Sequence, residues 1–415
     1  MAVVEIPWSA WYRDAVHQLE FPFGCQVDVL IPQGGRSLTI RELRDGIDHP
    51  IDSPRLEELG RGCRSACIVI DDVARPTRTA EILPILTEKL AEAGLPADKV
   101  AIVIAVGSHR RLSPAEVGWK VGVELCDRHV VECHDCRAGL APTGIPYGQH
   151  ELLVNQTFLA AELKIVVGCV LPHPFAGYSG GAKLVLPGLA DLRSIHRSHQ
   201  FVQMGLRGGA DPNANQFRLE AEEISRKLGV RFAVCVVTGP DRGTIGVYCG
   251  DLVSAHRRAC EQASTAFATD VERTYDAAVV NAYPKDIDLI QAESAFIGWK
   301  TARGPIVREG GLIVLACAAT CGRGSHGLFE PGGASYHVPR PQRWLGGRDF
   351  WVYCPGATTS EVRQLYWEGY PVFHDRVALA AALSQRLPAS ATIAVFPCGP
   401  AQQVRDLRAS FKAVV

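Results

Sequence analysis

Short apolar runs alternate with glycine-rich or polar loops and with amphipathic stretches along the first half of the chain. Three of these runs, at residues 66–70, 100–106 and 164–171, are apolar almost throughout rather than at every second position. Such runs are typical of strands that are buried on both faces, as in a parallel sheet covered by helices. The pattern therefore predicts an α/β fold.

Two stretches between these runs carry the signals of helices. Residues 79–93 repeat apolar side chains at helical spacing and are followed by Gly94, a common helix end. The segment SPAE at residues 113–116 combines a serine N-cap, a proline at the first helical position and a glutamate at the third. We expect a helix to begin at each place.

A similar alternation returns in the last third of the chain. Strand candidates lie at residues 275–282, 310–318, 349–354 and 391–396. We therefore expect two α/β domains with mostly parallel sheets, residues 1–270 and residues 271–415. The stretch from 322 to 348 is rich in Gly, Pro and Arg and predicts a long loop.

Composition narrows the range of partners. The 415 residues are 47% hydrophobic, and 43 Lys and Arg balance 44 Asp and Glu, so no diffuse basic field attracts nucleic acid or an anionic membrane. The N-terminus lacks the basic stretch and apolar core of a signal peptide, and no apolar run approaches the ~20 residues that span a bilayer. Fourteen cysteines are scattered through apolar segments, which favours a reducing compartment. We expect a cytoplasmic protein.

Unusual loops follow the three apolar runs, where ligands bind in parallel sheets. They read DDVARPT at residues 71–77, GSHR at 107–110 and HPFAGYSGGAK at 173–183. The glycines and the lysine of the third loop suit a phosphate. It is not a Walker A loop, because Lys183 is followed by leucine rather than by serine or threonine, so an ordinary kinase or ATPase is disfavoured. A tight turn with a solvated lysine is the alternative.

Three histidines are candidates for chemistry. His109 and His173 lie just beyond buried runs and could face one ligand from opposite sides as acid and base. His199 is predicted to point inward from a helix that begins near Ala190, and imidazole is a common ligand of nickel. Each histidine taken alone is more often a hydrogen-bonded structural residue.

An acidic and a basic residue share the first loop. Asp72 could hold the guanidinium of Arg75 while Arg75 grips a substrate carboxylate, or the two could form an ion pair that only stabilises the loop. The cluster CHDC at residues 133–136 resembles a zinc site, but no second Cys/His pair follows at finger spacing. We expect it to be structural.

Taken together, DDVARPT, GSHR, HPFAGYSGGAKLVLPG and SIHRSHQF resemble the ordered motifs of the nickel-dependent lactate racemase family. The resemblance covers most of the first 270 residues and continues more weakly through GDLVSAHRRAC and NAYPKDIDLIQAES. It implies two α/β domains with the active site in the cleft between them. It also implies a cofactor, the nickel-pincer nucleotide, which is a pyridinium-3-thioamide-5-thiocarboxylic acid mononucleotide that holds nickel (Ni).

The resemblance assigns cofactor roles to residues of the third loop and the following helix. Lys183 would carry the nucleotide through its thioamide, and His199 would be the nickel ligand. The residues expected to lie against the nucleotide are Gly177, Ser179, Gly180 and Gly181. Enzymes that synthesise the cofactor would then be necessary partners in the cell.

It also implies catalytic and substrate-binding roles. His109 and His173 match the paired acid/base histidines, and Asp72, Arg75 and Gln291 match residues on the substrate side. One histidine would remove the hydroxyl proton while the Cα hydride moves to the cofactor ring, and the opposite histidine would return a proton after the hydride returns to the other face. The implied activity is that of an isomerase, a 2-hydroxy acid racemase or epimerase.

One departure concerns the substrate. Lactate-specific members have Tyr-Gln followed three positions later by Lys, whereas this chain has Ile290, Gln291 and Ser294. The substrate is therefore expected to be lactate-like or larger, such as malate, an aromatic hydroxy acid or a sugar acid. Oligomeric state is left open.

Two other functions are compatible with the residues alone. A zinc-dependent hydrolase or lyase could use His109, His173 and His199 as metal ligands. A non-catalytic nucleotide-binding sensor could have kept the loop and lost the chemistry, with Ile290 and Ser294 as its only hints. The intact histidine pair and Arg75 argue against the sensor.

Overall fold

Two compact units form from the residues that the computed structural model describes, which are 2–12, 15–200, 208–333 and 336–408. The first unit comprises residues 35–264 and 326–336. The second unit comprises the described residues up to 34, residues 265–325 and those from 337 onward. Phe201, the last residue of the SIHRSHQF motif, lies outside the described residues.

The first unit contains a six-stranded sheet in which five strands are parallel and one edge strand is antiparallel. In spatial order the strands are Thr244–Gly250, Val230–Thr238, Leu163–Cys169, Ala66–Asp71, Val100–Ala105 and Val130–Cys133. Every residue of the two central strands is buried, as their continuous apolar runs predict.

Helices and two small hairpins complete this unit. The α-helices that begin in it are Ile40–Asp48, Leu56–Gly60, Leu83–Glu92, Pro114–Val121, Val123–Arg128, Gln156–Ala160, Leu192–Ser198, Gln216–Lys227 and Ser254–Ala266. Short 3₁₀ turns are Thr79–Glu81, Ala97–Lys99 and Gly181–Leu184. The hairpins pair Leu140–Tyr147 with His150–Asn155 and Pro172–His173 with Gly177–Tyr178. The predicted capping box is confirmed, since Ser113 and Glu116 each accept the other's backbone N–H.

The second unit contains a six-stranded sheet that is parallel throughout. In spatial order its strands are Val372–Phe373, Asp349–Tyr353, Val307–Ala316, Tyr275–Asn281, Thr392–Phe396 and Gln26–Val29. Two-stranded pairs join Ala2–Trp8 to Ala15–Phe21 and Ala268–Val271 to Gln403–Asp406. Its helical elements are Leu289–Ala292, Glu293–Thr301, Arg343–Leu345, Thr359–Arg363, Arg376–Arg386 and Gly399–Ala401.

The fold class is confirmed as α/β with mostly parallel sheets, but the units differ from the expected division into 1–270 and 271–415. The N-terminal strands belong to the second unit, where Gln26–Val29 pairs with Thr392–Phe396 at the sheet edge. Residues 326–336 belong to the first unit instead of lying in one uninterrupted long loop. Both differences arise from pairing across hundreds of residues, which leaves no local pattern in the sequence. No helix among the described residues is long and apolar enough to cross a membrane.

Candidate functional site

The three unusual loops follow three strands that are neighbours in the first sheet, Leu163–Cys169, Ala66–Asp71 and Val100–Ala105. Because these strands are parallel, the loops start at the same edge of the sheet. The side chains of Asp72, Arg75, His109, His173, Lys183 and His199 all belong to this unit.

A buried ion pair anchors the first loop. The Asp71 carboxylate accepts hydrogen bonds from Lys120 Nζ at 2.7 Å, Thr77 Oγ1 at 2.6 Å and the Cys169 backbone N–H at 2.9 Å. Lys120 is fully buried and also donates to the Thr77 carbonyl oxygen at 2.8 Å. The loop is thereby tied both to the neighbouring strand and to a helix. The sequence gives no sign of this pair, because 49 positions separate Asp71 from Lys120.

Asp72 holds His109. The Nδ1 atom of His109 lies 2.5 Å from Asp72 Oδ2, and Asp72 Oδ1 accepts the Ala74 backbone N–H at 3.2 Å. Burial by itself would raise the pKa of Asp72, but the charge of His109 and its hydrogen bond, followed by the charges of Arg75 and Lys120, lower it to about 2. An ionised carboxylate only accepts, so the ring proton sits on Nδ1 and the lone pair is on Nε2. His109 is therefore set to accept a proton.

Arg75 does not form the expected ion pair with Asp72. Among the described residues its guanidinium makes one hydrogen bond, from Nη1 to the Ala74 carbonyl oxygen at 3.0 Å. The carboxylate is engaged by His109 instead, because the turn aims the Asp72 side chain at the neighbouring loop. Both predictions for this loop had Asp72 contacting the guanidinium, either to hold it for a substrate or as a stabilising ion pair, and neither contact is formed. The guanidinium keeps N–H groups that suit a ligand carboxylate.

His173 is held in the opposite tautomer. Its Nδ1 accepts the backbone N–H groups of Phe175 at 3.4 Å and Ala176 at 3.3 Å, so the neutral ring carries its proton on Nε2. This turn needs glycine at 177, where φ is +68° and a Cβ would lie 2.5 Å from the Ala210 carbonyl oxygen. The neutral ring of His173 therefore presents Nε2–H as a hydrogen-bond donor, and it can release a proton only after a second proton has made it imidazolium.

His199 has the properties of a metal ligand. It is buried at the end of the helix Leu192–Ser198, and its Nδ1–H donates to the Ile195 carbonyl oxygen at 2.8 Å. Burial is the largest cause that lowers the pKa of His199; together with the charges of Lys183 and other neighbours, and against the opposing effect of that hydrogen bond, it brings the pKa to about 3. A neutral imidazole whose Nδ1 is committed presents an Nε2 lone pair, as metal-binding histidines do.

Phe175 lies between His173 and His199. Its ring centroid is 5.0 Å from that of His173 and 5.1 Å from that of His199, with edge contacts on both. The rigid phenyl ring thus fixes the spacing of a predicted acid/base residue and a predicted metal ligand.

The third loop, residues 173–183, is called the glycine loop below and is held in place by two buried basic side chains. Arg218 donates to the carbonyl oxygens of Tyr178 and, at 2.8 Å, of Gly180, while His256 Nε2–H donates to that of Ser179 at 2.9 Å. Three successive carbonyl oxygens are thereby held in place. No sequence motif indicates a role for Arg218 or His256, since both come from later helices.

Packing explains part of the glycine pattern in this loop. A Cβ at Gly180 would lie 2.9 Å from the Cys169 carbonyl oxygen, and one at Gly181 would lie 3.1 Å from His256 Cδ2. The Ser179 hydroxyl donates to the Cys169 carbonyl oxygen at 2.7 Å and accepts the Leu171 backbone N–H at 3.0 Å. These positions are therefore constrained by the fold in addition to the nucleotide contacts predicted for them.

His326 joins these residues although it lies far along the chain. Its ring centroid is 4.6 Å from that of His109, and the two residues form an isolated antiparallel β-bridge. It falls within the stretch predicted to be a long loop, where a single histidine gave no signal.

Gln291 lies in the second unit. It is buried in the short helix Leu289–Ala292, and its carbonyl oxygen accepts the Ser294 hydroxyl at 2.6 Å. Its predicted contact with substrate, like the cleft between domains, stays a prediction.

Within the described ranges, no group of three or more His, Cys, Asp or Glu side chains is placed to hold a metal ion. The three histidines of the zinc alternative therefore do not form such a group there. His134 of the CHDC cluster donates from Nε2 to the Ala190 carbonyl oxygen at 3.0 Å, and Cys133 and Cys136 are free thiols.

Comparisons with known proteins show which sequences this chain is similar to. Residues 15–207 match the model of the lactate racemase N-terminal domain. The chain is 29% identical over 292 residues to lactate racemase of Lactiplantibacillus plantarum, covering 68% of this chain and 67% of the relative. It is 26% identical over 299 residues to lactate racemase of Thermoanaerobacterium thermosaccharolyticum, covering 69% and 68%.

Two solved structures share the fold. The lactate racemase apoprotein from Thermoanaerobacterium thermosaccharolyticum superposes with a TM-score of 0.75 at 22% identity, covering 97% of this chain and 100% of that one. A protein from Thermotoga maritima gives a TM-score of 0.68 at 19% identity, covering 90% and 99%. The resemblance found in the sequence motifs is confirmed.

Proposed function

We propose that this chain belongs to the lactate racemase family and is an isomerase that racemises or epimerises a 2-hydroxy acid by reversible proton-coupled hydride transfer. The observation that carries the proposal is the pair of opposite tautomers, in which Nε2 of His109 presents a lone pair and Nε2–H of His173 presents a hydrogen-bond donor. Inversion at one carbon needs a proton removed on one side and a proton returned on the other.

The residues of the first unit fit a nickel-pincer nucleotide. Lys183 lies on a loop whose carbonyl oxygens are fixed by buried side chains, and His199 is a buried neutral imidazole with a directed lone pair. Lys183 would hold the nucleotide covalently and His199 would ligate the nickel. When bound, the nucleotide supplies the acceptor and donor for the Cα hydride.

The chain's own groups then bind substrate and move protons. Arg75 binds the carboxylate through two parallel N–H groups, which fixes the hydroxyl-bearing carbon relative to His109. His109 Nε2 accepts the hydroxyl proton, and the ionised Asp72 stabilises the resulting imidazolium. His173 donates a proton from Nε2 on the other side when its ring is in the imidazolium form, and this release leaves the ring neutral.

The substrate is a 2-hydroxy acid that need not be lactate. Ile290 and Ser294 occupy positions where lactate-specific members offer a tyrosine and a lysine, so a donor and a cation are missing there. The candidate substrates therefore include malate, aromatic hydroxy acids and sugar acids in addition to lactate.

The test is to produce the protein together with the cofactor synthesis enzymes and measure its intact mass, its nickel content and the racemisation of these four classes of acid. We expect a nucleotide-sized adduct with one nickel, absent from a Lys183→Ala variant and present in a Lys227→Ala control, whose lysine is exposed. Protein without adduct and nickel, or loaded protein that inverts none of the acids, would contradict the proposal.

A further inference from the structure

The segment of residues 326–336 places one side chain beside a predicted catalytic histidine. The Gly327 backbone N–H donates to the Ser108 carbonyl oxygen at 2.9 Å, next to the bridge between His326 and His109. A Cβ at Gly327 would lie 3.1 Å from Ser108 Cβ and 3.2 Å from Leu192 Cδ1, so glycine allows this close approach without displacing either side chain. The position of His326 is therefore built into the fold of the first unit.

Hydrogen bonds orient the His326 ring. Its Nδ1 accepts the Leu328 backbone N–H at 3.2 Å, and the Ser108 hydroxyl lies 3.2 Å from the same nitrogen. A nitrogen that accepts a backbone N–H carries the lone pair, so the proton of the neutral ring is on Nε2. Within the part of the chain that the structure describes, Nε2 has no hydrogen-bond partner.

The ring is neutral at physiological pH. Burial lowers the pKa of His326 well below its usual range, and repulsion from His109 and His199 in their protonated forms and from the cations Lys183 and Arg75 lowers it further. The same four neighbours show that His326 lies among the residues assigned to acid/base work, cofactor attachment and carboxylate binding. A neutral N–H donor in these surroundings can bind an oxygen of the substrate without changing the protonation of His109.

We propose that His326 is a substrate-binding residue whose Nε2–H donates a hydrogen bond to an oxygen of the 2-hydroxy acid on the side of His109. The inference rests on the proposed function, because it requires that the acid binds beside His109. The competing reading is that His326 only positions Ser108 and His109 through its Nδ1.

Three substitutions separate these two roles. In His326→Gln the side-chain amide reaches the place of Nε2 and keeps a donor there, whereas in His326→Asn the shorter amide reaches the place of Nδ1 and keeps only the bonds to Ser108 and Leu328. His326→Ala removes both. His49→Asn, at an exposed histidine of the same unit, is the matched control.

The variants are compared as loaded protein by KM and kcat for whichever acid the wild type inverts. We expect KM to rise about tenfold in His326→Asn and His326→Ala, with recovery toward the wild-type KM in His326→Gln, since one lost neutral hydrogen bond changes affinity by up to about that factor. Adduct mass, nickel content and the thermal unfolding midpoint are expected to match wild type in His326→Asn.

The opposite pattern overturns the inference. A wild-type KM in His326→Asn together with loss of kcat in His326→Gln would show that Nδ1 alone matters and that His326 positions its neighbours. Failure of His326→Ala to fold leaves the Asn and Gln pair to decide. A wild type that carries the cofactor and inverts no acid would contradict the proposed function instead, so the two failures are distinguishable.

Discussion

The Asp72 carboxylate binds the Nδ1 atom of His109 at 2.5 Å and not the guanidinium of Arg75 three residues away. Asp72 and Arg75 therefore contact different groups, since Asp72 bonds to His109 and Arg75 to the Ala74 carbonyl oxygen. Asp72 fixes the tautomer of His109, the predicted base, and Arg75 keeps N–H groups that suit a carboxylate ligand. Substitutions at the two positions should therefore have different kinetic signatures.

Replacing Asp72 with asparagine should lower kcat by about a hundredfold or more, in the range of a lost general base, with little change in adduct mass or nickel content. The asparagine amide can donate to Nδ1, which would move the ring proton to Nε2 and remove the acceptor. The measurement is the rate of inversion starting from each isomer. Asp45→Asn, at an exposed aspartate, should keep wild-type rates, and equal rates in both variants would contradict the role of Asp72.

Replacing Arg75 with lysine should raise KM more than it lowers kcat, because lysine keeps the charge but loses the two parallel N–H groups. We expect a rise of about tenfold or more in KM, corresponding to one strong charge-assisted hydrogen bond. Arg226→Lys, at an exposed arginine of the same unit, is the control. A KM unchanged by Arg75→Lys would argue against carboxylate binding by this residue.

Acid pH provides a test of Asp72 that does not depend on turnover. Its pKa of about 2 in the folded chain lies below the ordinary value of 3.8, so its stabilising effect is complete above pH ~4 and is lost as the pH falls through the folded pKa. The free energy of unfolding of wild type minus that of Asp72→Asn should shrink by about 2 kcal/mol between pH 4 and pH 2. Urea unfolding at a series of pH values measures this difference. A difference that does not vary with pH would contradict the assigned charge state.

The local signals in the sequence predicted the parts of the fold that short segments determine. The buried central strands, the capping box at Ser113 and the inward position of His199 follow from apolar runs and helical periodicity. The loops after the strands were found because parallel strands place their ends together.

Partners that are distant in sequence were not predictable in this way. No periodic pattern in the sequence reveals the partners of three such residues. They are Lys120, which pairs with Asp71, Arg218, which bonds to the glycine loop, and His326, which lies beside His109. Residues 326–336 likewise belong to the first unit through a contact distant in sequence, the β-bridge between His109 and His326. Only the folded chain brings these groups together.

Arg218 offers a test of how the glycine loop is held. Arg218→Leu should release the carbonyl oxygens of Tyr178 and Gly180 and lower the free energy of unfolding by about 2–4 kcal/mol, since two buried acceptors lose a charged donor. Arg226→Leu, at the exposed end of the same helix, should change it by less than about 0.5 kcal/mol. If the carbonyl bonds orient the loop for the nucleotide, Arg218→Leu should also lower the fraction of chains that carry the adduct on Lys183. Full loading in a destabilised Arg218→Leu protein would show that the bonds stabilise the fold alone.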